Sequence, residues 1–156
     1  VDCEDRVAMI SLAIEGNPSL EVNTLEIDIA VQTGYQNKTI ETLQLLSEQY
    51  QEEIALIIGA DNVLSLHKWY RAEELAKTYP FLVIPRDGLD LKKEIQADAW
   101  LSEHLKRYEI CAVGKCEMSS TMIRNWVREG TPITYYVCPK VEEYIRTHGL
   151  YKEEDA

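Results

Sequence analysis

The run Ile54-Ala55-Leu56-Ile57-Ile58 constrains this chain most, because it is apolar without a polar break. Strands that alternate apolar and polar face water on one side. An unbroken run describes a strand buried on both faces, the habit of a central strand in a parallel sheet. Gly59-Ala60-Asp61 follows at once, which sets a glycine and a carboxylate at the carboxyl end of the strand, the edge where open α/β sheets bind ligands. Glycine permits close backbone approach, and a carboxylate can take ribose hydroxyls or orient a hydrated metal. Alternatively, Asp61 merely caps a helix beginning at Asn62.

The flanking sequence alternates short apolar runs with longer segments of helical period, which is α/β organisation. A first helix is expected from Glu4 to Ile14, with Val7, Ile10 and Ile14 on one face and Gly16-Asn17-Pro18 as its stop. A strand is expected near Leu20 to Ile27, and Ile27-Asp28-Ile29-Ala30-Val31 also reads as an edge strand or as an apolar contact left bare. Asn37 is placed to cap a helix carrying Ile40, Leu43, Leu46 and Tyr50. Short helical pieces span Val63 to Tyr79, a strand Phe81 to Pro85, a helical pattern Leu91 to Tyr108, and a strand Glu109 to Val113. The last helix starts at Pro139, carries Val141, Tyr144 and Ile145, and closes at Gly149. The expected organisation is one domain over residues 1–156, with 118–156 as a C-terminal helical part. The chain opens on a helix, whereas a doubly wound sheet begins with a strand. That first strand is expected to lie outside these residues.

Met118-Ser119-Ser120-Thr121-Met122-Ile123-Arg124 describes an anion site. The first turn of a helix has N–H groups without intrahelical partners and the positive end of the dipole, so phosphate oxygens are favoured there. Ser119, Ser120 and Thr121 add hydroxyls, and helical side chains lean toward the N-terminus, which lets Arg124 point back at the first turn. An ordinary N-cap followed by a solvated arginine has the same sequence. Gly130 and Pro132 end this helix.

Two further features lie on the same side of the argument. Trp69-Tyr70 offers a flat face for a heteroaromatic ring, or a core contact. Arg86, directly after the strand Phe81 to Pro85, falls on the carboxyl edge, where a surface arginine would look the same.

Charge limits the partners. A formal net charge of −11 argues against nucleic acid, which needs a basic face to release counterions. Any anionic ligand must therefore be held locally, with a metal cation alongside. No stretch is long and apolar enough to cross a membrane, Val1-Asp2-Cys3-Glu4-Asp5-Arg6 has no signal-peptide character, and a cytoplasmic protein is expected. Cys3, Cys111, Cys116 and Cys138 have neither Cys-x-x-Cys spacing nor a histidine cluster and read as reduced thiols, with no protein-held metal expected. His67, His104 and His148 read as surface or helix-end histidines.

In order and spacing, several pieces resemble the bacterial nicotinate-nucleotide adenylyltransferases. They are Arg6 to Ile14, Ile57-Ile58-Gly59-Ala60-Asp61, Lys68-Trp69-Tyr70, Met118 to Arg124, Val141-Glu142-Glu143-Tyr144-Ile145, and Gly149-Leu150-Tyr151. The resemblance covers nearly the whole chain and is weakest from Leu89 to Tyr108. It implies a Rossmann-like nucleotidyltransferase fold and a reaction between ATP, accompanied by Mg²⁺, and nicotinate mononucleotide, giving the dinucleotide precursor of NAD and pyrophosphate. By resemblance, Ser119, Ser120, Thr121 and Arg124 hold the ATP phosphates, with Arg124 stabilising charge, and Gly59 and Asp61 form the nucleotide-binding loop. Trp69, with Tyr70, stacks on the nicotinate ring, and Arg86 is the basic residue near the site.

The family's Gly-x-Phe-x-Pro-x-His-x-x-His signature is not in residues 1–156, nor is the basic loop that follows it. Where the family has Ser-Tyr-Thr, this chain reads Gly34-Tyr35-Gln36, so the pyridine contact falls to Tyr35 and to an amide, Gln36, in place of a hydroxyl. Two alternatives stand beside this reading: transfer to another phosphorylated acceptor such as phosphopantetheine, and a nucleotide-binding or partner-binding protein without catalysis. Homo-oligomerisation is left open.

Overall fold

The structure is a computed structural model and describes residues 1–85, 88–112 and 118–152. In chain order the elements are helices α1 (Cys3–Ile14), α2 (Leu25–Thr33) and α3 (Thr39–Tyr50), strand β1 (Leu56–Gly59), helix α4 (Ala60–Leu64), a 3₁₀ turn (Leu66–Lys68) and helix α5 (Ala72–Thr78). There follow β2 (Phe81–Ile84), α6 (Leu91–Ala97), α7 (Ala99–His104), β3 (Tyr108–Ile110), α8 (Ser120–Arg128) and α9 (Pro139–His148). They fall into two compact units, residues 34–116 and residues 1–33 with 117–156. Among the described residues no helix is long and apolar enough to cross a membrane.

The first unit holds a parallel sheet in the order β1-β2-β3. Gly59 at the end of β1 is opposite Ile84 at the end of β2, so both carboxyl ends open on the same edge. The middle strand is β2, whose Phe81 and Val83 are fully buried, and not the run at Ile54 to Ile58. That run enters the sheet two residues late, and β1 lies at the border of the described sheet with Ile57 67% exposed. Apolarity marks the strand correctly, but its place in the sheet depends on which other segments pair with it, and that is not written in the run itself.

Around the sheet, Ile40 and Leu43 of α3, Val63 of α4, Leu66, Leu75, Ile95 and Leu101 complete one apolar core. The helix α3 starts at Thr39 with Lys38 as its N-cap, one residue after the expected Asn37. Glu41 decides the position, because its carboxylate accepts the Lys38 N–H at 2.8 Å. The helical pattern from Leu91 to Tyr108 breaks at Asp98, which ends α6 and also caps α7 by accepting the Leu101 N–H at 2.8 Å. Beyond β3, the Cys111 N–H still donates to Val83 O at 2.9 Å, and Val113 lies outside the described residues.

In the second unit α1 packs against α9. Tyr144 donates to Asp5 at 2.9 Å and Lys140 pairs with Glu15, tying the two helices along their length. Ile133, Val141, Ile145 and Leu150 form its small core, with Met9, Leu12, Ile123 and Trp126 against it. Gly149 takes φ +64° to end α9, a left-handed turn in which the Leu150 N–H reaches Ile145 O at 3.0 Å.

The strand expected near Leu20 to Ile27 is absent: residues 20–24 are irregular and α2 follows. Leu25, Ile27, Ile29 and Val31 alternate as a strand would. The start signals of a helix prevail, since Asn23 accepts the Leu25 N–H at 2.9 Å, Thr24 donates to Asp28 at 2.9 Å, and Glu26 and Asp28 are in the first turn. Cys3, Cys111 and Cys138 carry free thiols, and Cys116 lies outside the described residues.

Candidate active site

Residues assigned to phosphate sit together at the start of α8. Ser119 is the N-cap, with φ −132° and ψ 153°, and its Oγ accepts the Met122 N–H at 3.2 Å. Accepting this bond leaves the Ser119 hydroxyl proton able to donate. Ser120 and Thr121 occupy the first turn, which contains no acidic residue. Arg124 bends back toward the N-terminus and donates to Thr121 Oγ1 at 3.2 Å. Among the described residues it has no carboxylate partner, so its charge stays available to a ligand.

At the sheet edge, Gly59 is the N-cap of α4 and Asp61 lies inside the first turn, exposed. The alternative in which Asp61 caps a helix from Asn62 does not hold, because α4 begins at Ala60. Gly59 has an ordinary φ of −74°, and a Cβ placed there would meet no atom of the described residues within 4 Å. Neither backbone strain nor crowding calls for glycine here, and the open space beside it admits a ligand directly against the main chain.

Trp69 follows the 3₁₀ turn, is half-buried against the larger core, and lines an open 660 Å³ pocket with His67, Trp100, Arg71 and Lys77. The pocket rim is charge-paired: Arg71 holds Glu74 through two hydrogen bonds of 2.8 and 2.5 Å, and Lys77 holds Glu73 at 2.5 Å. These bonds push the Arg71 guanidinium up and the Glu73 carboxyl below its ordinary value. His104, the last residue of α7, stacks on Trp100 at 4.8 Å, and His148 ends α9, so both are helix-end histidines as expected.

Tyr35 and Tyr70 are both exposed, and Tyr70 is near enough to act electrostatically on the Tyr35 phenol. The Tyr35 hydroxyl donates to both oxygens of Glu41, at 2.9 and 3.1 Å, and this bond is the main cause that raises its pKa. Glu41 is held below the ordinary carboxylate range, first by the Lys38 N–H and then by Tyr35. Gln36 is exposed just before α3. Arg86 lies outside the described residues.

Comparison with known proteins supplies the relationship. Residues 1–126 match the cytidylyltransferase-like family. The probable nicotinate-nucleotide adenylyltransferase of Caldicellulosiruptor saccharolyticus is 38% identical over 150 residues, covering 96% of this chain and 74% of that protein. The nicotinate-nucleotide adenylyltransferase of Bacillus subtilis is 32% identical over 155 residues, covering 97% of this chain and 72% of that protein. The chain belongs to the nicotinate-nucleotide adenylyltransferase family.

Among solved structures, the Plasmodium falciparum nicotinic acid mononucleotide adenylyltransferase complexed with APC superimposes with a TM-score of 0.73 at 17% identity, covering 97% of this chain and 76% of that one. At that identity the likeness establishes the fold, a nucleotidyltransferase α/β arrangement around a parallel sheet. Within this family fold, sequence reasoning passed over Glu41, Arg71 and Trp100. The signal for Glu41 was present: an acid at the third position of a helix reaches back to the cap. Arg71 gave no such signal, since its left-handed φ of +51° and its pairing with Glu74 depend on the turn after Tyr70.

Proposed function

We propose that residues 1–156 belong to a single nucleotidyltransferase domain, without its first strand, that transfers the adenylyl group of ATP to nicotinate mononucleotide, making nicotinate adenine dinucleotide for NAD synthesis. A phosphate oxygen of nicotinate mononucleotide attacks the α-phosphorus of ATP, the bond from that phosphorus to the bridging oxygen breaks, and pyrophosphate leaves. The observation that carries this reading is the start of α8. A helix opening with three hydroxyl residues, no acid, and an arginine turned back with no carboxylate partner among the described residues is a place for phosphate in a chain of net charge −11. The enzymes to which the chain is 32–38% identical name the reaction.

In such a transfer the protein aligns the reactants and stabilises charge. Ser119, Ser120 and Thr121 hold the ATP phosphates by N–H and O–H donation, and Arg124 offsets charge as it passes to pyrophosphate. Gly59 lets the nucleotide lie against the main chain, and Asp61 takes a ribose hydroxyl. Trp69 and Tyr70 face the pyridine ring, with Tyr35, Gln36 and Arg86 as further contacts of that nucleotide. ATP enters as its Mg²⁺ complex, the ion being bound chiefly by phosphate oxygens and water, as is usual for Mg²⁺ on nucleotides.

The test is steady-state pyrophosphate release from Mg²⁺-ATP and nicotinate mononucleotide by the protein as encoded in its source. Turnover that falls about 10- to 100-fold in Arg124→Ala, the range for losing a hydrogen bond to a charged group, is expected. No turnover with nicotinate mononucleotide while another phosphorylated acceptor is adenylylated would overturn the substrate assignment.

A further inference from the structure

Three residues, Trp69, Tyr70 and Arg71, join the 3₁₀ turn to α5, and both ends of this link are buried, at Leu66 before it and at Ala72 and Leu75 after it. Trp69 is extended, at φ −78° and ψ 154°, and donates its N–H to Leu66 O at 2.9 Å. Arg71 is left-handed, at φ +51° and ψ 41°, and its C=O accepts the Leu75 N–H at 3.0 Å to start α5. The link can pass from one helical turn to the next only through this change of hand.

Glycine takes the left-handed conformation freely, whereas a residue with a Cβ does so against a steric clash. What holds Arg71 there is its own side chain. The guanidinium forks onto Glu74 at 2.8 and 2.5 Å and reaches Gln44 Oε1 of α3 at 3.4 Å, and Gln44 Nε2 donates to Glu74 at 3.5 Å. The start of α5 is thereby tied to α3. The Arg71 and Glu74 side chains are 36% and 47% exposed, and so exposed a pair contributes less than a left-handed arginine costs. Stability alone does not account for arginine at this place. Backbone strain that its surroundings maintain collects at ligand sites, and here it lies directly after Trp69 and Tyr70, with Trp69 and Arg71 lining the same pocket.

We propose that Arg71 is a positioning residue: its fork onto Glu74 and Gln44 holds residue 71 left-handed, and this fixes the direction in which Trp69 and Tyr70 meet the pyridine nucleotide. The inference rests on the assignment of Trp69 and Tyr70 to that nucleotide. The guanidinium acts through the main chain and does not touch the ligand. The hand of the backbone then matters at position 71 and the charge does not, and glycine supplies the hand without the fork.

The experiment measures equilibrium binding of nicotinate mononucleotide, and its KM and kcat, for the whole protein as encoded in its source and for Arg71→Ala, Arg71→Gly, Glu74→Ala and the double variant Arg71→Gly with Glu74→Ala. Alanine keeps the Cβ clash and loses the fork, so the fraction of molecules with residue 71 left-handed falls. Arg71→Ala should weaken binding about 5- to 30-fold, the left-handed penalty expressed as lost competent population, with KM raised and kcat kept. Arg71→Gly should bind nearly as well as the unmodified protein. Glu74→Ala should weaken binding in the arginine protein and have no effect in the Arg71→Gly protein, because the fork it removes is already gone. ATP affinity should not change in any of them.

Binding weakened as much by Arg71→Gly as by Arg71→Ala would mean that the guanidinium itself touches the ligand, and would overturn the positioning role. Binding unchanged in Arg71→Ala would overturn it too, leaving the fork as a surface pair. Both outcomes leave the reaction intact. Failure of the unmodified protein to bind nicotinate mononucleotide at all overturns the substrate assignment and this inference with it.

Discussion

Single side chains carry two consequences that a stability measurement separates. Ser119 caps α8 through its 3.2 Å bond from Met122 and, in the proposed site, also presents a hydroxyl to the ligand. Ser119→Ala should therefore cost about 1 kcal/mol of stability, the usual loss for a removed N-cap. Ser119→Gly should restore most of that stability without restoring ATP affinity, because glycine is an adequate cap and offers no hydroxyl. Urea unfolding and ATP binding on the same two variants check both halves. Glu41 makes the second prediction, in pH. Its folded pKa is depressed by Lys38 and Tyr35, so its contribution to stability is complete above the ordinary glutamate range and disappears as pH falls through the depressed value. Glu73, paired with Lys77, and Glu143, paired with Arg146, act in the same sense. The stability difference between the unmodified protein and Glu41→Gln should be largest at neutral pH and should close under acid. A difference that is unchanged by acid would mean that the carboxylate charge contributes nothing at this position.

At the scale of elements, the middle strand outweighs its neighbours. Phe81 is fully buried in β2, flanked by Leu56 on one side and Tyr108 on the other, and Phe81→Ala should cost about 3–5 kcal/mol in urea unfolding. Ile57→Ala, on an exposed face of β1, should cost far less, and equal losses at the two positions would contradict the strand order β1-β2-β3. Both strands were legible in the sequence as apolar runs, but their ranking was not. The run at Ile54 looks more buried than Phe81-Leu82-Val83-Ile84 only because burial was inferred from apolarity, whereas exposure of Ile57 depends on what pairs beyond it. Around α8 the sequence told more, since cap, first-turn hydroxyls and returning arginine are all local relations. In α2 the local signals conflicted, and capping by Asn23 and Thr24 prevailed over the alternation of Leu25, Ile27, Ile29 and Val31. Contacts between distant segments, such as Tyr144 with Asp5 or Arg107 with Glu53, had no local signature at all.

The whole molecule carries a net charge of −11, and this field acts on every anion that approaches. Among the described residues Arg71, Lys77, Arg107, Lys140 and Arg146 each hold a carboxylate. Self-repulsion should make the folded protein salt-stabilised. Raising ionic strength from about 0.01 M to about 0.15 M shortens the Debye length from about 30 Å to about 8 Å. The thermal midpoint should rise by about 2–4 °C for each kcal/mol of repulsion removed. The same field sets the form in which ATP binds. Unaccompanied ATP meets the acidic surface with its full charge, while the Mg²⁺ complex arrives with two charges neutralised. Arg124 and the start of α8 supply attraction only within about one turn, so they cannot offset repulsion that extends over the screening length. Equilibrium ATP binding should therefore be weaker with a chelator than with Mg²⁺, and added monovalent salt should narrow that gap by screening the repulsion that free ATP feels most. The check is a titration of ATP with and without chelator across a salt series. A gap that is constant with salt would assign the effect of Mg²⁺ to local geometry at the phosphates instead of to the charge of the chain.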